Sequence, residues 1–252
     1  MAGHSKWANI KRRKGAQDAK KGAIFAKVSR EMIVATKLGG PDPAGNFRLR
    51  TAIDKAKSLG MPNDSIQRSI DKAAAAGNAD DMDAMTYEGY GPGGVAVFIE
   101  AMTDNKNRTA GDIRSYFNKY NGNLGADGCV AWIFEEKGLI TVKQSQGSEE
   151  TVFESAIEAG ALDFERNDEE NTYEIYTDPL TLNTVCDGLT TAGIEVASAE
   201  ATRTPQNTVN VTELDVAKPL IRLLEAIENH DDVQAVHANV EMDDALMAQL
   251  DT

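Results

Sequence analysis

Apolar positions recur at helical spacing in the first third of the chain and change period after it. From Ala23 to Leu38, residues Ile24, Val28, Met32 and Ala35 fall at steps of four, four and three, and Gly39-Gly40 supplies a stop. A rigid turn at Pro41-Asp42-Pro43 precedes a second predicted helix over 46–59, with Leu49, Ile53 and Ala56 on one face and Gly60 as its breaker. A third starts near Pro62 or Asn63, uses Ile66, Ile70 and Ala73, and ends at Gly77. Such short amphipathic helices with tight connections predict a three-helix bundle whose outer faces carry Lys and Arg. After Met1, residues 2–22 hold only Trp7 and Ile10 as large apolar side chains, too few for a core of their own.

Beyond a polar stretch from Asn78 to Asp83, alternation takes over. Strands are predicted at 86–90 and 95–102 around a Gly-Pro-Gly-Gly turn at 91–94. A helix opened by a capping box at Thr109–Asp112 follows, then a strand at 129–134. From Leu139 the order reads βαββαβ, with strands at 139–143, 162–166, 172–177 and 194–202 and helices at 149–159 and 179–192. This is the ferredoxin-like pattern. A strand at 208–211, a helix to about Asn229 that contains Pro219, and a strand at 233–240 complete the chain; the proline predicts a kink or a break. The fold class is therefore α+β multidomain: an N-terminal three-helix bundle plus two α+β domains, one inserted in the other. The expected boundaries are 1–78 for a basic helical domain with its tail, 79–135 plus 206–252 for a discontinuous α+β domain, and 136–205 for an inserted ferredoxin-like domain.

Charge sharpens this division. The chain of 252 residues has a formal net charge of -14, which by itself argues against a nucleic-acid partner. Residues 1–78, however, hold 16 Lys and Arg against 6 Asp and Glu, whereas residues 79–252 hold 10 against 34. An asymmetry of this size predicts a polyanion-binding segment carried on an acidic body. A solvated basic helix face is the plainer alternative. Apolar runs such as Val95–Ile99 are far short of a membrane span, and the basic N-terminus lacks the apolar segment of a secretory signal. Two cysteines, Cys129 and Cys186, in no metal or redox motif, suit a reduced, cytoplasmic setting.

Candidate chemistry concentrates at the start. Lys6, Lys11, Arg12, Arg13, Lys14, Lys20, Lys21, Lys27 and Arg30 form a basic run, and clustered cations bind phosphate and release counterions. Trp7 within it is positioned to stack on an unpaired base or to anchor the tail on a core. Arg48, Arg50 and Arg68 extend the basic surface over the second and third helices, together with Lys55, Lys57 and Lys72. The turn at Leu59–Asn63 admits a helix-turn-helix reading, with Gln67 and Arg68 on the second helix. Gly89–Gly94 invites a phosphate-loop reading, but a strand follows it and no Lys-Ser/Thr does, so a hairpin turn is favoured. Asp104–Thr109, between a strand and a helix start, is read as a capping segment or an anion site. Carboxylate pairs such as Glu135-Glu136 and Glu149-Glu150 lie in polar turns. No nucleophile–base pair, zinc spacing or His cluster appears, so no catalytic residue, metal, cofactor or small-molecule substrate is expected.

Several of these runs carry a resemblance. The opening Met1-Ala2-Gly3-His4-Ser5-Lys6-Trp7-Ala8-Asn9-Ile10-Lys11 and the loop Tyr87-Glu88-Gly89-Tyr90-Gly91-Pro92-Gly93-Gly94 resemble the YebC family. This is the family of YebC/PmpR transcriptional regulators, also called the transcriptional regulator/translational activator (TACO) family. Gln17–Lys20, Gly39–Pro43, Arg48–Arg50, Met61-Pro62, Asp104-Asn105 with Asn107–Thr109, and Gly122–Gly125 extend the resemblance over the whole chain. One departure is Phe47, where the family pattern has Pro before Arg-Leu-Arg. The resemblance implies a non-enzymatic, cytoplasmic protein of bacterial type with a helical domain and two α+β domains. It also implies one of two roles: a regulator that binds promoter DNA, or a translational activator that works with the ribosome and its RNA, including relief of stalling on proline-rich stretches. In either role the partner is nucleic acid and no membrane is involved.

Overall fold

Helix α1 (Lys21–Gly39) buries Val28, Met32 and Ala35 against α2 (Phe47–Ser58) and α3 (Asn63–Ala75), which contribute Leu49, Ala52, Ile53, Ala56, Ile66 and Ile70. The computed structural model describes residues 21–75, 83–168 and 170–250. Asn46, only 6% exposed, joins the first two helices. Its side-chain oxygen caps α2 by accepting from the Leu49 amide at 3.1 Å, while its Nδ2 donates to the carbonyls of Ala35 and Gly40 at the end of α1. Phe47 takes the first helical position. That is where a proline costs nothing, so the departure from the family pattern leaves the helix start in place.

Two compact units make up the chain, Met1–Phe134 with Pro205–Thr252, and Glu135–Thr204. In the first, β1 (Asp83–Tyr90) and β2 (Ala96–Thr103) form an antiparallel hairpin, so Gly91–Gly94 is a turn between strands. Gly93 and Gly94 both adopt φ near +74°, the left-handed region that favours glycine. Helix α4 (Lys106–Lys119) and the short β3 (Asn123–Leu124) follow, and β9 (Val233–Ala238) pairs with β2 to give the sheet order β3-β1-β2-β9. Helix α7 (Leu214–Glu228) lays Ala217, Leu220, Ile221, Leu223, Leu224 and Ile227 on this sheet beside Ile113 and Phe117 of α4. The sheet is approached so closely that a Cβ on Gly89 would lie 2.6 Å from the Asn123 carbonyl and 2.8 Å from the Phe117 ring. Two short strands, β8 (Val209–Asn210) and β10 (Val240–Glu241), pair in parallel apart from the main sheet, and α8 (Asp244–Leu250) ends the described chain.

The second unit contains β4 (Phe134–Lys143), α5 (Glu149–Ala159), β5 (Asp163–Asn167), β6 (Thr172–Thr177), α6 (Leu182–Thr191) and β7 (Val196–Pro205). Its strand order is β5-β6-β4-β7, the ferredoxin-like arrangement, with Ile140, Val142, Tyr173 and Ile175 facing Val152, Ala156, Val185 and Leu189 of the helices. Its first and last strands are neighbours, which brings its two chain ends to one edge region of its own sheet.

Several expectations need correction. Helix α1 bonds directly to residues 228–232 within the same compact unit, and the boundary expected at residue 78 falls outside the described residues. Helix α4 starts at Lys106 rather than at Thr109: Asn105 caps it by accepting from the Arg108 amide at 3.1 Å, which frees Thr109 to point inward. The strand predicted at 129–134 is a turn and a 3-10 segment at Ala131–Ile133, and the strand starts only at Phe134. The cause is Glu88, 4% exposed, whose carboxylate accepts from the amides of Gly128 (2.7 Å), Val130 and Ala131 (2.8 Å each) and so withdraws them from any ladder. Helix α6 begins at Leu182, after a turn over Asp178–Thr181. Helix α7 runs through Pro219 without a break, since six buried apolar residues hold it on the sheet. The C-terminal α8 was not expected; its Leu246 and Met247 join the core of the first unit. Among the described residues no helix is long and apolar enough to cross a membrane.

The Glu88 carboxylate yields a stability test. Glu88→Ala leaves three amides without their acceptor and is expected to cost roughly 3–5 kcal/mol. Urea unfolding followed by Trp132 emission in a Trp7→Phe background measures it, and a loss under about 1 kcal/mol would mean the amides find other partners.

Candidate nucleic-acid interface

The predicted contact residues Lys6, Trp7, Lys11, Arg12, Arg13, Lys14 and Lys20 lie outside the described residues, and Lys21 opens α1. The remaining ones divide by what they touch. Lys27 donates its Nζ proton to the Glu228 carbonyl, and Arg30 donates to the Asp231 carbonyl and stands 3.6 Å from Asp232 Oδ1. They meet the carbonyls and a carboxylate at and just beyond the C-terminal end of α7, where the helix dipole attracts cations. Arg48 lies 2.7 Å from Glu31 of α1. Arg68 donates to the Asp64 carbonyl of its own helix at 3.0 Å. Arg50, Lys55, Lys57 and Lys72 are exposed on α2 and α3.

The turn between α2 and α3 has Gly60 at φ +78°, with the Gly60 amide donating to the Lys57 carbonyl and Met61 to Ala56. A helix-turn-helix reading would send α3 into a groove. Its outer face, however, carries Asp64 and Asp71 among Gln67, Arg68 and Lys72, and Gln67 donates to Asp71 at 2.8 Å. Carboxylates at those positions would oppose the phosphates on either side of a groove.

Within the same unit, α1 and α3 face α4 and the α7–β9 turn across a cleft of about 800 Å³. Arg30, Lys37 and Lys72 line one wall, while Asp104, Arg108, Asp112, Asp231 and Asp232 line the other. Asp232, 3% exposed, is the most enclosed of these carboxylates. Arg108 donates to its Oδ2 at 2.8 Å, and the hydroxyls of Thr109 and Thr103 stand 2.7 and 3.1 Å from the same oxygen. Burial would push the Asp232 carboxyl up, but the hydrogen bonds from Arg108, Thr109 and Thr103 outweigh it and hold the group below its ordinary value. The Arg108 guanidinium is held above its own by its hydrogen bond to Asp232 and then by that to Asp104. His230 completes the turn: its Nδ1 accepts from the Asp232 amide at 3.1 Å, and its Nε2 faces Asp112 Oδ2 at 3.2 Å. The Asp104–Thr109 segment therefore captures an internal carboxylate; it does not present itself as an anion site.

Sequence reasoning singled out neither Asp232 nor Trp132. Asp232 sits in an unremarkable His-Asp-Asp run, and only its placement in the fold reveals it. Trp132 is 65% exposed, yet its Nε1 donates to the Cys129 carbonyl at 3.1 Å, the same oxygen that Tyr90 reaches with its hydroxyl. Burial raises both thiols, Cys186 to about 11, the reverse of what an activated nucleophile needs. Among the described residues no group of His, Cys, Asp or Glu is arranged to hold a metal ion.

The pattern defining the TACO1/YebC protein N-terminal domain matches residues 5–76, and that of the TACO1/YebC second and third domain matches residues 82–240. The chain belongs to the TACO1/YebC family. Relatives of this TACO1/YebC protein are similar along their whole length. A probable transcriptional regulatory protein of Desulfotalea psychrophila is 50% identical over 250 residues, covering 99% of each chain. One of Persephonella marina is 49% identical over 250 residues, covering 99% of this chain and 100% of its own. The crystal structure of a conserved hypothetical protein from Aquifex aeolicus superposes with a TM-score of 0.86 at 45% identity, over 95% of this chain and 98% of that one.

The Asp232 cluster makes stability of the TACO1/YebC first unit dependent on acid. Its folded-state pKa lies below the unfolded value of about 3.9, so the carboxylate stabilises the fold above that pH and ceases to as pH falls through the folded value. Asp232→Asn is expected to cost roughly 2 kcal/mol at neutral pH and progressively less below about pH 4. Denaturant titrations over a pH series measure both; a difference between variant and parent that stays constant down to about pH 2 would contradict the assignment.

Proposed function

We propose that this protein is a non-enzymatic regulator of gene expression that binds nucleic acid through its basic N-terminal part. The observation that carries the reading is the segregation of charge, 16 cations against 6 carboxylates in residues 1–78 and 10 against 34 beyond them. Lys6, Lys11, Arg12, Arg13, Lys14, Lys20 and Lys21 make the phosphate contacts, Trp7 stacks on a base, and Arg48, Arg50 and Arg68 extend the surface over α2 and α3. Lys27 and Arg30 serve the reading indirectly, by fastening α1 to the α+β part. The acidic remainder repels phosphate and orients the approach. The relatives' names, probable transcriptional regulatory protein, support a role in transcription.

A second target, folded or ribosomal RNA in a translation factor that relieves stalling, is favoured by two observations. The outer face of α3 carries Asp64 and Asp71, which disfavours insertion into duplex DNA. The exposed Trp132 supplies an aromatic face, and unpaired bases stack on such faces.

Neutralising Lys11, Arg12, Arg13 and Lys14 together is expected to lower affinity about tenfold or more at moderate salt and to flatten its salt dependence. Filter binding over a salt series measures this, and an unchanged slope would remove the basic run from the interface. Co-sedimentation with ribosomes against excess random duplex DNA separates the targets. Ribosome binding that survives the competitor points to RNA recognition, and loss of binding points to the DNA regulator. Trp7→Ala should weaken unpaired RNA more than duplex DNA; equal losses would make that tryptophan structural.

A further inference from the structure

The inserted unit, residues 135–204, is the most acidic part of the chain, with 16 Asp and Glu against four Lys and Arg. A four-stranded sheet of this topology is one of the surfaces on which RNA-binding domains stack bases. This one is built otherwise. On the face away from the helices, Glu165 of β5 lies directly opposite Glu174 of β6, and Tyr176 on that face is 1% exposed and turns its hydroxyl to Glu174. Neither charge nor aromatic presentation suits phosphate or base there.

The helical side differs. Helix α5 buries Val152 and Ala156, but Phe153 (45% exposed) and Ile157 (46%) stand one turn apart on an outward face. Leu162, 69% exposed, follows the left-handed turn at Gly160. The Phe153 ring meets Phe164 edge-on at 5.5 Å, so the ridge is continuous with the core beneath. Glu150, Glu154 and Glu158, all exposed, recur at every fourth position on the adjoining stripe of the same helix. Large apolar side chains grouped in the open mark interaction sites. An acidic border selects what covers them.

We propose that the Phe153–Ile157–Leu162 ridge is a docking site for a basic protein segment that sets apolar side chains on the ridge and Lys or Arg over the glutamate stripe. Charge complementarity decides the occupant: nucleic acid and anionic membranes are repelled by the same carboxylates that attract a cationic peptide. The proposal is independent of the nucleic-acid reading, since it uses a different unit and the opposite charge.

The test uses the full chain and two labelled peptides of about 18 residues with equal numbers of lysines. One carries Leu at every third or fourth position, and the other carries Ser in place of each Leu. Fluorescence anisotropy without nucleic acid is expected to show the Leu peptide binding at least about tenfold more tightly than the Ser peptide. Leu162→Ser combined with Phe153→Ser should erase that preference. Glu150→Gln, Glu154→Gln and Glu158→Gln together should weaken the Leu peptide and flatten its salt dependence, while Glu213→Gln with Asp215→Gln on the other unit should change nothing. Circular dichroism checks that each variant is folded, and the glutamate variants, all at exposed positions, keep the test available should the ridge variant unfold. Equal affinity for the two peptides, or full binding by the glutamate variant, would overturn the proposal.

Discussion

The buried carboxylate of Asp232 is the constraint around which the first unit is arranged. A charge removed from water is tolerable only where partners satisfy it, and here they come from segments far apart in sequence. Thr103 ends β2, Arg108 and Thr109 open α4, and Arg30 reaches across from α1. The helix start is tuned to this need. With Asn105 as the cap, Thr109 is spared for Asp232 and Arg108 reaches both Asp104 and Asp232. Glu88 works on the same principle at the other end of the sheet, trading its own desolvation for three backbone amides of the loop that presents Trp132. Two internal anions thus fix the loops around an otherwise apolar sandwich.

That arrangement changes how the basic charge of the N-terminal part is counted. Cations on a helix are available to phosphate only where nothing nearer claims them. Lys27 and Arg30 are claimed by the end of α7. In the proposed function the phosphate contacts therefore rest mainly on the residues that precede α1, while the first helix acts as the fastening between a cationic segment and an acidic body. The inserted unit carries that acidity furthest, and its exposed apolar ridge gives the acidity a role other than repulsion.

Much of the architecture is legible in the amino-acid order because it follows from local periodicity. The three amphipathic helices, the β1–β2 hairpin around Gly-Pro-Gly-Gly and the βαββαβ order of the inserted unit depend on residues within a few positions of one another. Two elements that failed the local reading did so where a distant group intervened. The segment 129–133 has strand-like residues but loses its amides to Glu88, and α7 crosses Pro219 because a buried face outweighs one missing hydrogen bond.

The candidate site divides along the same line. Net charge is additive along a chain, so the sequence by itself determined that a cationic start is joined to an anionic remainder, and its motifs determined the family. Which cations face solvent was decided only by tertiary structure, because Arg30 and Asp231 are 201 positions apart and become partners only when α1 packs against the end of α7. Asp232, Trp132 and the Phe153 ridge belong with that second group. An aspartate, a tryptophan and a phenylalanine carry no mark in sequence of being buried or exposed; enclosure by partners, or its lack, assigns their work.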